Sequence, residues 1–229
     1  MKPSVNYIEP KIGEGIYLVK DVSRILHLEY QKVYRWIVGY WSGSLDENIN
    51  YTFGENDNRA INFYSLIEFY TFFKLREKGV SPTDIRRLHT ELSKILKTKY
   101  PFAIGQDYFV ENRKTPKTKK TFVYYTYLNS LIKFDTKKQF SLGFMEKFLE
   151  RIEFDENNLA KRFYPLPYSK NVVVDPKNQF GQPVITGTNI KTQTLFNLYK
   201  GGESIKDIST LYNISIDKVK DAITFQNAA

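Results

Sequence analysis

Residues 17–37, YLVKDVSRILHLEYQKVYRWI, constrain the fold of this chain more than any other stretch of its sequence. Apolar residues recur at helical spacing on both sides of the short segment HLE. They are Val22, Ile25, Leu26, Val33, Trp36 and Ile37. Two short amphipathic helices joined by so tight a turn are typical of a helix-turn-helix, although an ordinary helical hairpin has the same pattern.

The second helix of this pair is predicted over residues 29–38, and its polar side chains can donate hydrogen bonds to phosphates and base edges. They are Gln31, Lys32, Tyr34 and Arg35. The segments INYTF and RAINF then flank the polar turn GENDN, which predicts a small hairpin with Asn58 and Arg59 at its tip. A hairpin directly after a helix-turn-helix has the order of a winged DNA-binding domain.

The positive charge of the chain is concentrated in its first part. The net charge is +9, and residues 171–229 hold six Lys against five Asp or Glu, which leaves +8 for the first 170 residues. A basic body suits a polyanionic partner, most often nucleic acid, but the same charge also serves solubility.

The middle of the chain combines helices with a hairpin. Residues 65–78 and a segment beginning at Pro82 have helical patterns, with Ser81 as the cap of the second helix. DYFVEN and KTFVYYTYL read as strands separated by the polar turn RKTPKTK, and a helix is predicted over residues 140–151. The five Lys or Arg within residues 113–120 suit either contact with DNA backbone or a solvated hairpin tip.

The C-terminal part begins with the short strand NVVVDP and continues as FGQPVITGTNI, residues 180–190. Five residues of this second stretch are predicted to form a structural turn, in which the glycines take positive φ and the proline fixes the chain direction. They are Gly181, Pro183, Gly187, Thr188 and Ile190. Three short helices follow, and Ser204 with Asp207 forms a capping pair before the second of them.

The glycine-rich stretch lacks the spacing of a phosphate-binding loop. Gly187-Thr188 is followed by Asn189-Ile190, so Lys191 is out of register for a P-loop, and G-x-G-x-x-G is absent. We therefore predict no cofactor for this chain, and we predict that it is not an enzyme.

Side chains that could carry catalysis or bind metal are scattered. His27 and His89 lie far upstream of the stretch and are predicted to be surface or turn residues. Glu153, Asp155 and Glu156 could hold Mg²⁺ in a nuclease, but residue 156 points away from the other two on an alternating strand. A solvated edge is the preferred interpretation, and no metal site is predicted.

The sequence contains no cysteine, which excludes disulfides and thiolate metal sites. No apolar run approaches the roughly 20 residues of a membrane span, and residues 1–15 lack the apolar centre of a signal peptide. We expect a cytoplasmic protein without membrane contact.

The predicted fold class is α+β and mainly helical. It comprises an N-terminal winged helix-turn-helix with its following helices over residues 1–100, a β-hairpin with a connecting α/β segment over 101–168, and a C-terminal strand-plus-three-helix domain over 169–229.

The pattern G-x-P-x-x-x-G-T-x-I, followed by a helix, a glycine, a capped helix and a further short helix, resembles a bacterial family first catalogued as a domain of unknown function. Antitoxins of the VapB kind, encoded beside PIN-domain ribonuclease toxins, carry this domain. Beyond the turn residues, the resemblance rests on Gly202, Ser204, Ile208, Tyr212 and Ala222. The family commonly has Arg where this chain has Asn189. Residues 17–37 are similar to the MerR-like helix-turn-helix of the longer antitoxins.

The resemblance implies a non-enzymatic protein that neutralises a PIN-domain toxin and binds its own promoter DNA. A MerR-like transcription regulator, with a C-terminal unit that senses a ligand or another protein, is the alternative. In both cases we expect a homodimer, because one helix-turn-helix module buries too little surface for tight, specific binding.

Overall fold

The computed structural model describes the chain over most of its length. The described residues are 13–41, 51–54, 58–105, 108–115, 118–127, 130–133, 139–140 and 150–228. The central residues of the predicted GENDN turn and most of the helix predicted over 140–151 lie outside them.

The chain forms two compact units. The first combines residues 1–66 with residues 161–229, and the second comprises residues 67–160. The first unit is therefore assembled from two stretches that are far apart in the sequence.

The first unit begins with strand β1 (Tyr17–Leu18), which leads directly into helix α1 (Val19–Leu26). Asp21 caps α1, because its carboxylate accepts the Leu18 N–H at 3.0 Å. His27 ends the helix with φ of +52°, and helix α2 (Tyr30–Arg35) follows after two further residues. Helices α1 and α2 pack on each other, with Val22, Ile25 and Val33 buried. A π-helical segment, Trp36–Trp41, continues α2.

The structure describes residues 51–54 and 58–63 of the predicted hairpin, and its two sides pair as predicted. Phe53 and Ala60 form an antiparallel bridge with reciprocal N–H to C=O bonds of 2.9 and 2.8 Å. Strand β2 (Ala60–Ile61) pairs antiparallel with β1, so this segment returns to the start of the helical pair. Helix α3 (Phe63–Glu77) begins at once, with its first N–H bonded to the Glu14 carbonyl.

The second unit contains the rest of α3, helix α4 (Pro82–Leu96) and a 3₁₀ turn, Pro101–Ala103. Ser81 caps α4 by accepting the Asp84 N–H at 3.1 Å, as the sequence predicts. Gly79 takes φ of +89° between α3 and α4, a backbone conformation that suits glycine.

A buried carboxylate joins these elements of the second unit. Glu68 Oε1 accepts the N–H groups of Phe102 and Ala103 at 2.7 and 3.2 Å, and Glu68 Oε2 lies 2.8 Å from His89 Nε2. Burial raises the pKa of Glu68, although His89 and the two backbone donors favour its charged form. The expectation that His89 is a surface or turn residue is wrong, since its side chain is buried in α4.

The two predicted strands of the middle segment are part of a four-stranded antiparallel sheet in chain order. Strands β3 (Tyr108–Thr115) and β4 (Thr118–Tyr127) make a long hairpin, in which Thr115 pairs with Thr118. Strands β5 (Ser130–Lys133) and β6 (Gln139–Phe140) complete the sheet. Most of the basic run at residues 113–120 therefore lies on strands and not in a loop.

Strands β7 (Ile152–Phe154) and β8 (Ala160–Phe163) form a hairpin. The second stretch of the first unit begins at residue 161, within β8. Strand β9 (Val172–Val173) then pairs antiparallel with β10 (Val184–Ile185), joined by a loop with a 3₁₀ turn at Gln179–Gly181.

Three helices follow β10, as the sequence predicts. They are α5 (Thr192–Lys200), α6 (Ile205–Tyr212) and α7 (Ile216–Asn227). Ser204 caps α6 through the Asp207 N–H, and Ser215 caps α7 through the Lys218 N–H. The three helices and β10 enclose a common apolar core, formed by Ile185, Leu195, Ile208, Val219, Ala222 and Ile223.

The α+β, mainly helical fold class is thus confirmed. Among the described residues, no helix is both long enough and apolar enough to cross a membrane.

Candidate functional site

Helix α2 presents a polar face to solvent. Gln31, Lys32 and Arg35 are exposed, Tyr34 is half-buried, and Val33 between them points into the core. The Arg35 Nε donates to the Gln31 carbonyl at 3.3 Å, which keeps this guanidinium along its own helix. The amide, ammonium and guanidinium groups of this face are donors suited to base edges and phosphates.

A pair of aromatic rings extends this face at the start of α2. Tyr30 is exposed and stacks on Tyr34, with ring centroids 6.2 Å apart and planes inclined by 23°. The sequence prediction included Tyr34 but not Tyr30.

The two residues predicted at the tip of the hairpin differ in exposure. Asn58 is exposed, whereas Arg59 is half-buried directly before β2. The Nε of Arg59 is buried and finds no acceptor within the described part of the chain. Asn58 is therefore the better placed of the two for contact with a partner.

Three of the five predicted turn residues, Gly187, Thr188 and Ile190, lie in the loop between β10 and α5, whereas Gly181 and Pro183 precede β10. Thr188 donates its hydroxyl to the Ile185 carbonyl at 2.9 Å and accepts the Ile190 N–H at 3.1 Å, while Ile185 N–H bonds to the Ile190 carbonyl. The Pro183 carbonyl accepts from Thr192, which anchors the start of α5. Gly187 has φ of +82°, so the predicted left-handed conformation is confirmed.

Gly181, with φ of +85°, has a second reason to be glycine. A Cβ at this position would overlap the hydroxyl oxygen of Tyr17, and a Cβ at Gly15 would come within 2.7 Å of the same oxygen. The Tyr17 ring is fully buried between these glycines, and Ile16 N–H bonds to the Phe180 carbonyl at 3.3 Å. The C-terminal loop thus packs against the strand that precedes α1.

A cavity of about 400 Å³ opens beside the same loop. Its lining residues come from the loop itself, from β8 and from the segment around β9. They are Arg162, Val173, Asp175, Asn178, Thr186, Gly187, Thr188 and Asn189.

The polar groups of this cavity are mostly paired with each other. Arg162 Nε donates to Asp175 Oδ2 at 2.9 Å, and Asn178 Nδ2 donates to the Thr188 carbonyl at 3.1 Å. The Thr186 hydroxyl donates to the Lys170 carbonyl. Of the residues that line the cavity, the sequence identifies Gly187 and Thr188. It does not identify the pairing of Arg162 with Asp175, because that contact depends on the fold and no pattern of neighbouring residues indicates it.

Two further candidates for catalysis or metal binding, His27 and Asp155, have structural roles. His27 lies in the turn after α1, as predicted, and its ring meets Phe225 edge-on at 5.5 Å while Nδ1 lies 3.3 Å from the Ala228 carbonyl. Asp155 Oδ1 accepts the N–H groups of Asn157 and Leu159, both at 2.9 Å, so it shapes the β7–β8 turn. No three His, Asp or Glu residues are grouped for metal binding in the described ranges.

Comparison with known proteins agrees with the C-terminal architecture. Residues 172–225, from β9 to near the end of α7, match the family model described as "Protein of unknown function (DUF433)". The chain as a whole has the fold of the crystal structure of Rv2018 from Mycobacterium tuberculosis, with a TM-score of 0.63 at 18% identity. This match covers 90% of this chain and 96% of that one, and it shows the fold alone.

Two curated proteins of Mycobacterium tuberculosis are similar to part of the chain. The first, named "Putative antitoxin VapB45", is 29% identical over 80 residues, which are 34% of this chain and 34% of the relative. The second, "Uncharacterized protein Rv2308", is 30% identical over 63 residues, 26% of each. The chain therefore matches about a third or less of the length of these relatives. In sequence it is similar to an antitoxin-like family.

Proposed function

We propose that this protein is the antitoxin of a type II toxin–antitoxin system and acts by binding rather than by catalysis. The similarity to an antitoxin is the observation that carries this proposal. The matched DUF433 region adds support, because the pattern that the sequence shares with VapB-type antitoxins lies in it. By the same resemblance, the partner is a PIN-domain ribonuclease toxin.

We further propose that the helical pair α1–α2 binds the protein's own promoter as a winged, MerR-like helix-turn-helix. Gln31, Lys32 and Arg35 are all exposed on α2, and +8 of the net charge of +9 lies in the first 170 residues. A recognition helix needs exposed donors on one face and apolar residues on the other, which is what α2 has. Binding as a homodimer would double the contact with a symmetric operator.

The experiment that tests the antitoxin function is co-expression with the product of the neighbouring gene. We expect the two proteins to co-purify and the growth defect caused by the neighbour alone to disappear. A neighbour that is harmless when expressed alone, or that does not bind this chain, would contradict the proposal.

A second function is favoured by the cavity of about 400 Å³ beside Gly187, since this volume lies in the range of small-molecule sites. On this alternative the protein is a MerR-like regulator whose C-terminal domain senses a ligand or another protein. Promoter binding without any toxic neighbour would favour the regulator, and promoter binding with a neutralised neighbour would favour the antitoxin.

A further inference from the structure

The cavity beside the Gly187 loop has no net charge. Its one cation, Arg162, is paired with its one anion, Asp175, and its other polar lining groups are hydroxyls and amides. A phosphate site requires an excess of positive charge or of converging donors, and a divalent cation requires several carboxylates. The lining therefore suits an uncharged group that both donates and accepts hydrogen bonds.

The mouth of the cavity offers backbone groups to a partner. Gly187 and Asn189 are exposed, and their N–H and C=O groups make no hydrogen bond to any other described residue. Thr188 between them is fully engaged, with its N–H on the Ile185 carbonyl and its C=O on the Asn178 side chain. A partner chain that lies over this turn can bond to the exposed peptide groups of residues 187 and 189, which flank Thr188.

Gly187 also leaves space at this mouth. A Cβ built on Gly187 would meet no atom within 4 Å, in contrast to Gly181, so crowding within the chain does not explain this glycine. Its positive φ requires a permissive residue, and the missing side chain lets another backbone approach closely.

An exposed aromatic side chain lies next to the cavity wall in the sequence. Phe180 follows Asn178 by two residues, is 74% exposed and has φ of +56°, a conformation that is costly for a residue other than glycine. An apolar ring held outward at such a cost is typical of an anchor for a protein partner, since aromatic residues are enriched in interfaces.

We propose that an extended segment of the toxin docks on this loop, pairs with the backbone of Gly187 and Asn189, and inserts an uncharged hydrogen-bonding side chain into the cavity. Asn, Gln, Ser and Thr have this chemistry. This inference rests on the proposed antitoxin function, because the partner is the toxin of that proposal.

The test compares Gly187→Asn with Gly202→Asn in the full chain. Asn tolerates positive φ better than other residues that have a side chain, so both variants introduce a similar backbone strain, but only the first places a side chain at the cavity mouth. Gly202 is a matched control, since it has φ of +103°, is exposed and has open space around its missing Cβ. A second variant, Asn189→Ala, removes an exposed carboxamide from the cavity wall without changing the turn.

The readouts are the Kd for the purified product of the neighbouring gene, the thermal melt and promoter binding. We expect Gly187→Asn and Asn189→Ala to weaken toxin binding by about tenfold or more, with Gly187→Asn melting no lower than Gly202→Asn, whereas Gly202→Asn binds as the wild type does. Wild-type affinity in both cavity variants would overturn the docking site while leaving the antitoxin function standing. Failure of the wild-type chain to bind the neighbour would overturn the proposed function and the docking site together.

Discussion

Tyr17, in the strand that leads into α1, contacts Gly181 of the C-terminal loop. Its ring is fully buried between Gly15 and Gly181, and its hydroxyl has no hydrogen-bond partner among the described residues. Burial raises the pKa of this hydroxyl well above its ordinary value of 10.0, and the carboxylates of Asp175 and Asp21 raise it further. An unpaired buried hydroxyl costs about 1–3 kcal/mol, so the ring contributes to stability and its hydroxyl detracts from it.

Tyr17→Phe should therefore raise the unfolding free energy at neutral pH by about 1 kcal/mol. The effect should grow at alkaline pH. A raised pKa means that the folded state holds the proton of the Tyr17 hydroxyl more tightly than the unfolded state does. Ionisation of this hydroxyl therefore takes no stability from the wild type below the ordinary pKa of 10.0. Wild-type stability falls as the pH rises from there through the pKa of the folded state. Urea unfolding at neutral pH and at about pH 11 measures both effects. Tyr199→Phe, at an exposed tyrosine of the same unit, is the control. A Tyr17→Phe protein that is less stable than wild type at both pH values would show that the hydroxyl has a partner.

At the scale of secondary structure, the sequence predicts most of the elements because their signals are local. Ser81 and Ser204 each cap the helix that their position predicts, and Gly187 takes the predicted positive φ. The spacing of apolar residues also identifies the buried side of the helical pair α1–α2, and with it the exposed side that holds the candidate DNA contacts.

The side chains that pair across long stretches of sequence could not be predicted in this way. His89 looked like a surface residue of an amphipathic helix, yet it is buried beside Glu68, whose other oxygen binds the backbone of Phe102 and Ala103. The cavity depends likewise on Arg162 meeting Asp175. Such contacts follow from tertiary packing, and a pattern of spacing within one helix or strand contains no information about them.

The exposed face of α2 gives the prediction that belongs to this scale. Replacing Lys32 and Arg35 together by Ala removes two cations from the proposed recognition helix, while the buried Val33 that fixes α2 is untouched. We expect promoter affinity to fall by at least about 1–3 kcal/mol, with a shallower dependence of binding on salt. Gel shifts at several salt concentrations measure this, with the exposed pair Lys200→Ala and Lys206→Ala as the charge-matched control. Equal losses in the two double variants would mean that charge alone, and not this helix, binds the DNA.

At the scale of the whole molecule, the first unit is composite, because residues 1–66 and 161–229 form one compact body. Their contacts include the Ile16 to Phe180 backbone bond, Tyr17 against Gly181, and His27 against Phe225 at the end of α7. His27 lies in the turn between α1 and α2, so the C-terminal helices support the turn that sets the angle of the proposed recognition helix. This arrangement connects the region proposed to hold the toxin with the region proposed to hold DNA.

Destabilising the C-terminal core should consequently loosen the N-terminal helical pair. Ile208 is buried in the core of the three helices, and Ile208→Ala should cost about 2–5 kcal/mol of unfolding free energy. Because α1 and α2 share a unit with that core, we expect their amide hydrogen exchange to quicken together with that of α5, α6 and α7. Ile216→Ala, at an isoleucine that is 44% exposed in α7, should leave both regions protected. If exchange in Ile208→Ala quickened in the three C-terminal helices alone, the two stretches would open independently. A signal from the cavity would then have no route through packing to the DNA-binding face.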